Sequence, residues 1–414
     1  MIEHGKLSNT LISQVRSGRL KQDAFPYLEA VKEMPAASEL AAAAAHRKAR
    51  ILEILGDTEE DWHNWKWQLK NRIKDSHTLA LILGLSELDK KRIDRVSKVY
   101  RWAISPYYLS LIGADYENSP IYRQAVPDIR ELNPGGSLDP MNEAQSSPAP
   151  CVTRRYPDRM IINVTNQCAM YCRHCQRRRN IGENDHHANL PDIAAALQYV
   201  ACNREIRDVL ITGGDALMLN NRVLKSILEE LHSIPHVEIK RLGTRVPVTL
   251  PQRVTPELCD ILRLYPPIYI NTQFNHPREV TAEAKLACDQ LISAGAVLGN
   301  QAVLLKGVND DPFVMRKLNQ ELLKIRVRPY YIFHAKDVQG TRHFQTSVDT
   351  GLDIMKSLRG HTSGLAVPTY IVNAPGGLGK IPLMPNHIVE HLPEKVVLRT
   401  WEEELVEIEN QKPS

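Results

Sequence analysis

The feature that most constrains the fold of this 414-residue chain is an alternation of short β-branched segments with helical segments. Helical composition fills the intervals, and the strand-like runs lie at 160–165, 208–212, 237–243, 268–273, 296–301 and 328–333. Parallel neighbouring strands require crossover connections, so this order predicts βαβ units in a parallel sheet. Six units cannot close an eight-stranded barrel. We therefore expect an α/β fold, a partial (β/α)6 barrel, with functional residues at the carboxyl ends of its strands.

The chain divides into four predicted regions. Residues 1–132 are predicted to be helical, with Thr58 capping a helix that begins with acidic residues. Residues 133–150 are rich in Pro, Gly, Ser and Asn, which predicts a linker or a long loop. Residues 151–385 contain the partial barrel, and we expect 386–414 to form a C-terminal tail with a short strand.

The composition is that of an ordinary globular protein. The net charge is +4 and charged residues make up 24% of the chain, so general attraction to nucleic acids or membranes is not indicated. No apolar run reaches the roughly 18 residues that span a bilayer. The N-terminal sequence MIEHGK lacks the apolar core of a signal peptide. We therefore expect a cytoplasmic protein with no nucleic-acid or membrane partner.

Three of the seven cysteines, Cys168, Cys172 and Cys175, follow the first predicted strand directly. The odd total and uneven spacing argue against a disulfide framework. Three thiolates can hold an iron–sulfur cluster while one iron stays open to a small-molecule ligand. A zinc site completed by His174 or Cys151 is the alternative, although no second C-x-x-C pair supports it. Three further cysteines are predicted to be core residues of helices: Cys202, Cys259 and Cys288.

A glycine-rich loop near the C-terminus, APGGLGK at 374–380, ends in Lys380. It departs from the phosphate-binding P-loop pattern at both ends. A lysine behind a flexible glycine turn can form a Schiff base with pyridoxal phosphate. A solvated lysine on a turn is the alternative, and the local sequence by itself favours it. Two arginines that suit a phosphate group, Arg155 and Arg159, flank the start of the first strand.

Ordered motifs between residues 62 and 398 resemble the lysine 2,3-aminomutase family of radical S-adenosylmethionine enzymes. The motifs include RRYPDR, CAMYCRHCQRRR, GGDAL, NTQFNHP, GNQAVLLKGVND and PGGLGK. The C-x₃-C-x₂-C spacing is the signature of that superfamily. The resemblance implies an isomerase that moves an α-amino group to the β-carbon. It also implies three cofactors: a 4Fe–4S cluster, S-adenosylmethionine and pyridoxal phosphate.

The resemblance assigns roles to particular residues of this sequence. Cysteines 168, 172 and 175 are implied cluster ligands, and Lys380 is the implied attachment point of pyridoxal phosphate. Arg177 is implied to bind the substrate α-carboxylate. The remaining implied cofactor contacts are Arg155, Arg159, His174, Gly213, Gly214, Asp215 and Gln301, of which the Gly-Gly-Asp motif follows the second strand.

Two positions bear on the substrate. The lysine enzymes carry aspartates where this chain has Lys336 and Asn373, and glutamate 2,3-aminomutases share the Lys and Asn. A lysine facing a substrate carboxylate is favourable, whereas facing an ammonium it is unfavourable. The resemblance therefore implies conversion of L-glutamate to 3-aminopentanedioate. Three alternatives stay open: that Lys336 merely pairs with Asp337 at the surface, that the substrate is L-lysine, and that the chain is a zinc-binding nucleic-acid protein.

The resemblance also carries expectations about partners and metals. The chain has no cysteine after Cys288, so the cysteine-rich zinc segment of clostridial lysine aminomutases is missing and we expect no zinc. Reduction of the cluster implies an electron donor of the flavodoxin or ferredoxin type. We expect a homo-oligomer that is held together without zinc.

Overall fold

A computed structural model describes residues 8–35 and 37–411. The N-terminal part is helical, as expected, and Thr58 forms a capping box with Asp61 at the start of a helix. A 3₁₀ turn at Ile129–Leu132 ends this part. Its helices are α1 (Asn9–Lys32), α2 (Ala37–Leu55), α3 (Glu59–Trp62), α4 (Trp65–Lys70), α5 (Ser76–Leu83), α6 (Glu87–Ser97), α7 (Pro106–Ser110) and α8 (Pro120–Ala125).

The main sheet has nine strands in sequential order, which places consecutive strands side by side. Its strands are β1 (Val152–Thr153), β2 (Arg159–Thr165), β3 (Asp208–Gly213), β4 (Ile239–Gly243), β5 (Ile268–Thr272), β6 (Ala296–Leu304), β7 (Arg328–His334), β8 (Thr369–Asn373) and β9 (Lys380–Leu383). The crossover helices are α9 (Leu190–Cys202), α10 (Asn221–Ser233), α11 (Val246–Thr249), α12 (Pro256–Arg263), α13 (Ala282–Ser293), α14 (Pro312–Lys324) and α15 (Val348–Leu358).

The six predicted strands are β2 to β7, and they form a parallel sheet, so the α/β partial-barrel prediction is confirmed. The sequence reading missed β8, which extends the parallel sheet by one more strand. The short strands β1 and β9 pair antiparallel at the two ends. Within the described residues the strand order ends at β1 and β9, so the barrel stays open.

The helical part and the sheet share one hydrophobic core. Side chains of the N-terminal helices, such as Ile51 and Tyr108, pack in the same cluster as Ile162 and Tyr370 of the sheet. A buried carboxylate adds an electrostatic link across this boundary. Glu131, at the end of the helical part, pairs with Arg173 and Arg178 of the segment after β2.

The Pro- and Gly-rich segment 133–150 is irregular, and it also contacts the loop that precedes β9. The backbone N–H of Gly376 donates to the Pro140 carbonyl over 2.9 Å. A Cβ atom added to Gly377 would lie 2.5 Å from the Met141 carbonyl oxygen, so the two segments touch backbone to backbone. The segment is therefore a wall of the central cavity as well as a connection.

Two expectations about other parts of the chain differ from the structure. The region 386–414, expected to be a tail, forms a three-stranded antiparallel sheet: β10 (Ile388–His391), β11 (Lys395–Arg399) and β12 (Leu405–Glu409). Val396 and Val397 of β11 are buried, and residues 412–414 lie outside the described range. Cys202, expected in the core, is exposed because it ends α9, whereas Cys259 and Cys288 are buried. In the portion of the chain that is described, no helix combines the length and apolarity needed to cross a membrane.

Candidate active site

A cavity of about 340 Å³ opens at the carboxyl ends of the parallel strands. Strand ends converge there because parallel neighbours all point the same way, so residues distant in sequence meet at one rim. Every site residue that the sequence predicted lines this cavity: Arg155, Arg159, Cys168, Cys172, His174, Cys175, Arg177, Gly213, Gly214, Asp215, Gln301, Lys336, Asn373 and Lys380.

The three predicted cluster cysteines lie in the loop after β2. Burial raises the pKa of the Cys168 and Cys175 thiols, so they become thiolates only beside a compensating positive charge, such as iron. Arg72 lies near Cys168 and lowers the pKa of its thiol, and Arg177 and Arg178 do the same for Cys175. The Arg245 Nη1 lies 2.8 Å from the Cys172 sulfur.

No group of three His, Cys, Asp or Glu side chains in the described residues is spaced around a point where a single metal ion could sit. A cluster does not require this spacing, because each of the three thiolates binds a different iron. The donor set therefore fits a three-cysteine iron–sulfur cluster with one iron left open.

The Gly-Gly-Asp motif ends β3 beside the cysteine loop. A Cβ atom on Gly214 would lie 2.5 Å from the Gln167 carbonyl oxygen, so only glycine permits this approach to the residue before Cys168. The buried Asp215 carboxylate accepts hydrogen bonds from Thr244 Oγ1 and the Arg245 backbone N–H, both over 2.7 Å. In this structure Asp215 thus joins the loops after β3 and β4.

His174 and Gln301 also line the cavity. Burial holds the pKa of His174 well below its usual range, so the ring is neutral. Its Nε2 lies 3.3 Å from the Asn275 side-chain nitrogen, while its buried Nδ1 contacts no polar atom of the described chain. A buried ring nitrogen without a partner is available to a ligand.

Lys380 begins β9, directly opposite Asn373 in the antiparallel register with β8. Its Nζ lies 4.9 Å from the centre of the Tyr331 ring and 5.5 Å from that of Phe333. Burial, followed by the charges of nearby arginines including Arg241, lowers the Lys380 pKa to about 8. An amine with this pKa has an appreciable neutral fraction near neutral pH, which is the form that attacks a carbonyl.

The two arginines expected to bind a phosphate are held near Lys380. The buried Nη1 of Arg155 has no hydrogen-bond partner in the described part of the chain. Arg159 lies over the Tyr156 ring, with 4.0 Å between its guanidinium carbon and the ring centre. An anionic phosphate would satisfy the unpartnered donor, so these residues fit pyridoxal phosphate.

Lys336 also lines the cavity, and it donates a hydrogen bond to the Gln176 side-chain oxygen. Asp337 instead makes two bonds to Arg342, over 2.7 and 2.9 Å, so Lys336 does not pair with its neighbour. Burial, together with the charge of Arg177, lowers the pKa of Lys336 to about 7. The buried Nδ2 of Asn373 finds no acceptor among the described residues. Both groups can donate to an anion.

Sequence reasoning missed the charged side chains that hold these groups in place. Arg241 lies within β4 and Arg245 follows that strand, and Glu279 accepts a 2.7 Å hydrogen bond from Arg245. Arg72 donates over 2.7 Å to the Cys168 carbonyl oxygen from the helical region. One feature of the sequence could have identified them: a charged residue in an otherwise apolar stretch, such as Arg245 in GTRVPVTL.

Comparisons with known proteins agree with this geometry. Residues 162–315 match the radical SAM superfamily, and residues 355–410 match a family described as lysine-2,3-aminomutase. A glutamate 2,3-aminomutase from Clostridioides difficile is 55% identical over 403 residues, which cover 97% of this chain and 96% of that protein. An L-lysine 2,3-aminomutase from Fusobacterium nucleatum is 49% identical over 83% of this chain and 82% of its own. The enzyme of the same name from Clostridium subterminale is 46% identical over 85% and 86%, respectively.

Proposed function

Because the chain belongs to the lysine 2,3-aminomutase family of the radical S-adenosylmethionine superfamily, we propose that it converts L-glutamate to 3-aminopentanedioate. Family membership makes it an isomerase that uses a 4Fe–4S cluster and S-adenosylmethionine, and it removes the alternative of a zinc-binding nucleic-acid protein. The choice of glutamate and the use of pyridoxal phosphate are the parts that we propose.

The observation that carries the choice of substrate is that two hydrogen-bond donors, Lys336 and Asn373, line the cavity. A lysine substrate would bring its distal ammonium toward the Lys336 ammonium, and like charges repel strongly in a partly buried site. The distal carboxylate of glutamate would instead accept hydrogen bonds from both groups. The unpartnered Asn373 Nδ2 supports this, because a buried donor without an acceptor costs free energy until a ligand supplies one.

Lys380, Arg155 and Arg159 support pyridoxal phosphate as the third cofactor, with Lys380 as its attachment point. When bound, this cofactor supplies a carbonyl carbon for the substrate amino group and a ring that delocalises an unpaired electron. The lowered Lys380 pKa suits an amine that must both bind and release that carbonyl.

The chain's own side chains would orient the substrate at both ends. Arg177 would bind the α-carboxylate, and Lys336 with Asn373 would bind the distal carboxylate. Fixing both carboxylates leaves C2 and C3 in one defined position, which lowers the entropy cost of the reaction. The rings of Tyr331 and Phe333 cover Lys380 and would exclude water from its surroundings.

We extend the proposal to partners and location. A flavodoxin- or ferredoxin-type electron donor would reduce the cluster, and the chain would form a homo-oligomer that contains no zinc. The electron donor and the homo-oligomer are proposed from the family, and the zinc-free state is proposed because this sequence has no cysteine after Cys288. An iron–sulfur cluster on free thiols also suits a reducing compartment, so we propose the cytoplasm.

The test is an anaerobic assay of the enzyme reconstituted with iron, sulfide and pyridoxal phosphate. Reductant and S-adenosylmethionine are added, L-glutamate and L-lysine are offered separately, and the β-amino acid is followed by NMR. We expect product from glutamate alone. Product from lysine alone would overturn the choice of substrate and keep the chemistry.

A double variant tests whether Lys336 and Asn373 bind the distal carboxylate of the substrate. Lys336→Asp combined with Asn373→Asp should abolish glutamate turnover, because two carboxylates would then face the substrate carboxylate. Asp337→Asn is the matched control, since Asp337 pairs with Arg342 away from the cavity. Unchanged glutamate turnover in the double variant would contradict the assignment.

A further inference from the structure

A buried carboxylate, Glu143, pairs with Arg155 and Arg177, two of the arginines that line the cavity. Its side chain is 7% exposed. Its carboxylate oxygens lie 3.2 Å from Nη2 of Arg177, 3.3 Å from Nε of Arg177 and 3.6 Å from Nη2 of Arg155. Arg179 approaches the same carboxylate at 3.3 Å. Neither composition nor the glycine- and proline-rich surroundings of Glu143 pointed to this role.

The contacts with Glu143 leave one nitrogen of Arg155 and one nitrogen of Arg177 available to a ligand. Arg177 uses Nε and Nη2 for Glu143, so Nη1 is not engaged by that carboxylate. Arg155 uses Nη2, and its buried Nη1 has no partner in the described chain. The Glu143 carboxylate thus holds one edge of the Arg177 guanidinium group and one edge of the Arg155 guanidinium group. The other edge of each group remains available to a ligand.

The backbone around Glu143 is itself anchored to the loop before Lys380. Pro140 accepts the Gly376 N–H over 2.9 Å, and the Met141 carbonyl packs against Gly377. Glu143 therefore connects the arginines to the segment that places Lys380.

We propose that Glu143 is a positioning residue that orients Arg155 toward the cofactor phosphate and Arg177 toward the substrate α-carboxylate, an inference that rests on the proposed function. Positioning and simple charge competition predict opposite results. If Glu143 only competed with anions for the arginines, its removal would make the cavity more positive and tighten anion binding. If it orients them, its removal lets them repel each other and rotate, and anion binding weakens.

The test compares Glu143→Gln and Glu143→Asp with the wild-type enzyme. The control is Glu205→Gln, because Glu205 pairs over 2.7 Å with Arg154, next to Arg155 in sequence but outside the cavity lining. Three quantities are measured: the Kd of pyridoxal phosphate for the protein by absorbance titration, KM and kcat for the turned-over amino acid, and iron content.

We expect Glu143→Gln to raise both the Kd and KM by about 10- to 100-fold, with kcat changed far less and iron content unchanged. Glu143→Asp keeps the charge and should recover part of the loss. If Glu143→Gln does not fold, the aspartate variant decides: a raised KM with kcat retained supports the proposal, and a KM equal to that of wild type overturns it.

Unchanged or lower Kd and KM values in Glu143→Gln would overturn the inference. Failure of the proposed substrate is distinguishable, because it appears in the wild-type enzyme. The Glu143 effect can then still be measured with whichever α-amino acid is turned over, since every α-amino acid carries the carboxylate that Arg177 would bind, and with pyridoxal phosphate itself.

Discussion

At the scale of single residues, the cavity is dominated by positive charge. Arg155, Arg159, Arg177, Lys336 and Lys380 all line it. Burial, followed by this concentration of positive charge, lowers the pKa of the two amines, and the charge attracts anions. The two lysines therefore titrate in the range where an enzyme operates, and their protonation states can be followed by experiment.

Lys380 should react with a carbonyl compound at a lower pH than an ordinary lysine does. We expect reductive labelling by pyridoxal, which has no phosphate, to reach half its maximum near pH 8, the pKa of Lys380. Peptide mass spectrometry reports each site separately. The exposed Lys395, whose pKa is raised by Glu407, serves as the internal reference and should label only at higher pH.

The arginine charges near Lys380 supply the control for this experiment. Arg159 lowers the Lys380 pKa, so Arg159→Gln should move the labelling midpoint upward. A midpoint that stays in place, or moves downward, would contradict the electrostatic explanation.

Lys336 should make substrate binding depend on pH. Burial lowers its pKa to about 7, so above that pH it must take up a proton before it can pair with a carboxylate. KM for L-glutamate should therefore rise by up to about tenfold per pH unit above pH 7. In Lys336→Met, KM should be higher throughout and this rise should disappear. A rise that persists in the variant would assign the pH dependence to another group.

At the scale of elements, the loops after β2 and β3 are built around glycines that allow backbone contact. Gly213 has φ +123°, a region that non-glycine residues avoid. Gly214 has an ordinary φ but no room for a side chain beside Gln167. The shape of the cysteine loop is therefore set by an adjacent strand end.

Gly214→Ala should impair cluster assembly. The added methyl group would lie 2.5 Å from the Gln167 carbonyl oxygen, so the backbone before Cys168 must shift. We expect clearly lower iron content after reconstitution and a lower thermal midpoint. Gly18→Ala is the matched control, because nothing lies within 4 Å of that position and alanine favours the helix. Equal iron content in the two variants would refute the steric argument.

At the scale of the whole molecule, buried ion pairs connect the helical region to the sheet. Glu131 is fully buried, with 0% of its side chain exposed, and it pairs with both Arg173 and Arg178. Arg245 and Glu279 form a second buried pair within the barrel, and Tyr108 of the helical region donates a hydrogen bond to Glu279. Since an uncompensated buried charge is costly, these pairs tie the position of the cysteine loop to the folding of the entire chain.

Glu131→Gln should destabilise the protein by about 3–5 kcal/mol, because it leaves two buried guanidinium groups without their counterion. The free energy of unfolding from urea denaturation is the measurement. Glu238→Gln is the control: it breaks a surface ion pair in which the Arg207 side chain is 57% exposed and the Glu238 side chain 53%. This change should lower the free energy of unfolding by at most about 1 kcal/mol. Similar losses in both variants would show that burial does not set the cost.

The sequence by itself determined the strand–helix alternation, the three-cysteine loop, the glycine turn before Lys380 and the family. These features are local: each depends on residue types at short, regular spacings, which the chain displays without folding. The seventh parallel strand, β8, was not predicted, because five residues between glycine- and proline-rich segments show too little periodicity to identify a strand. The C-terminal sheet was not predicted, because it depends on the pairing of its strands and not on their composition.

Only the tertiary structure decided which charges meet. Glu143, Glu131 and Glu279 come from three different parts of the chain, and nothing in their immediate sequence distinguishes them from surface glutamates. Their role follows from burial, which removes water and so strengthens the interaction of each carboxylate with a nearby arginine. Likewise, Lys336 faces the cavity and Asp337 faces Arg342 because β7 ends there, a direction that side-chain chemistry alone does not specify.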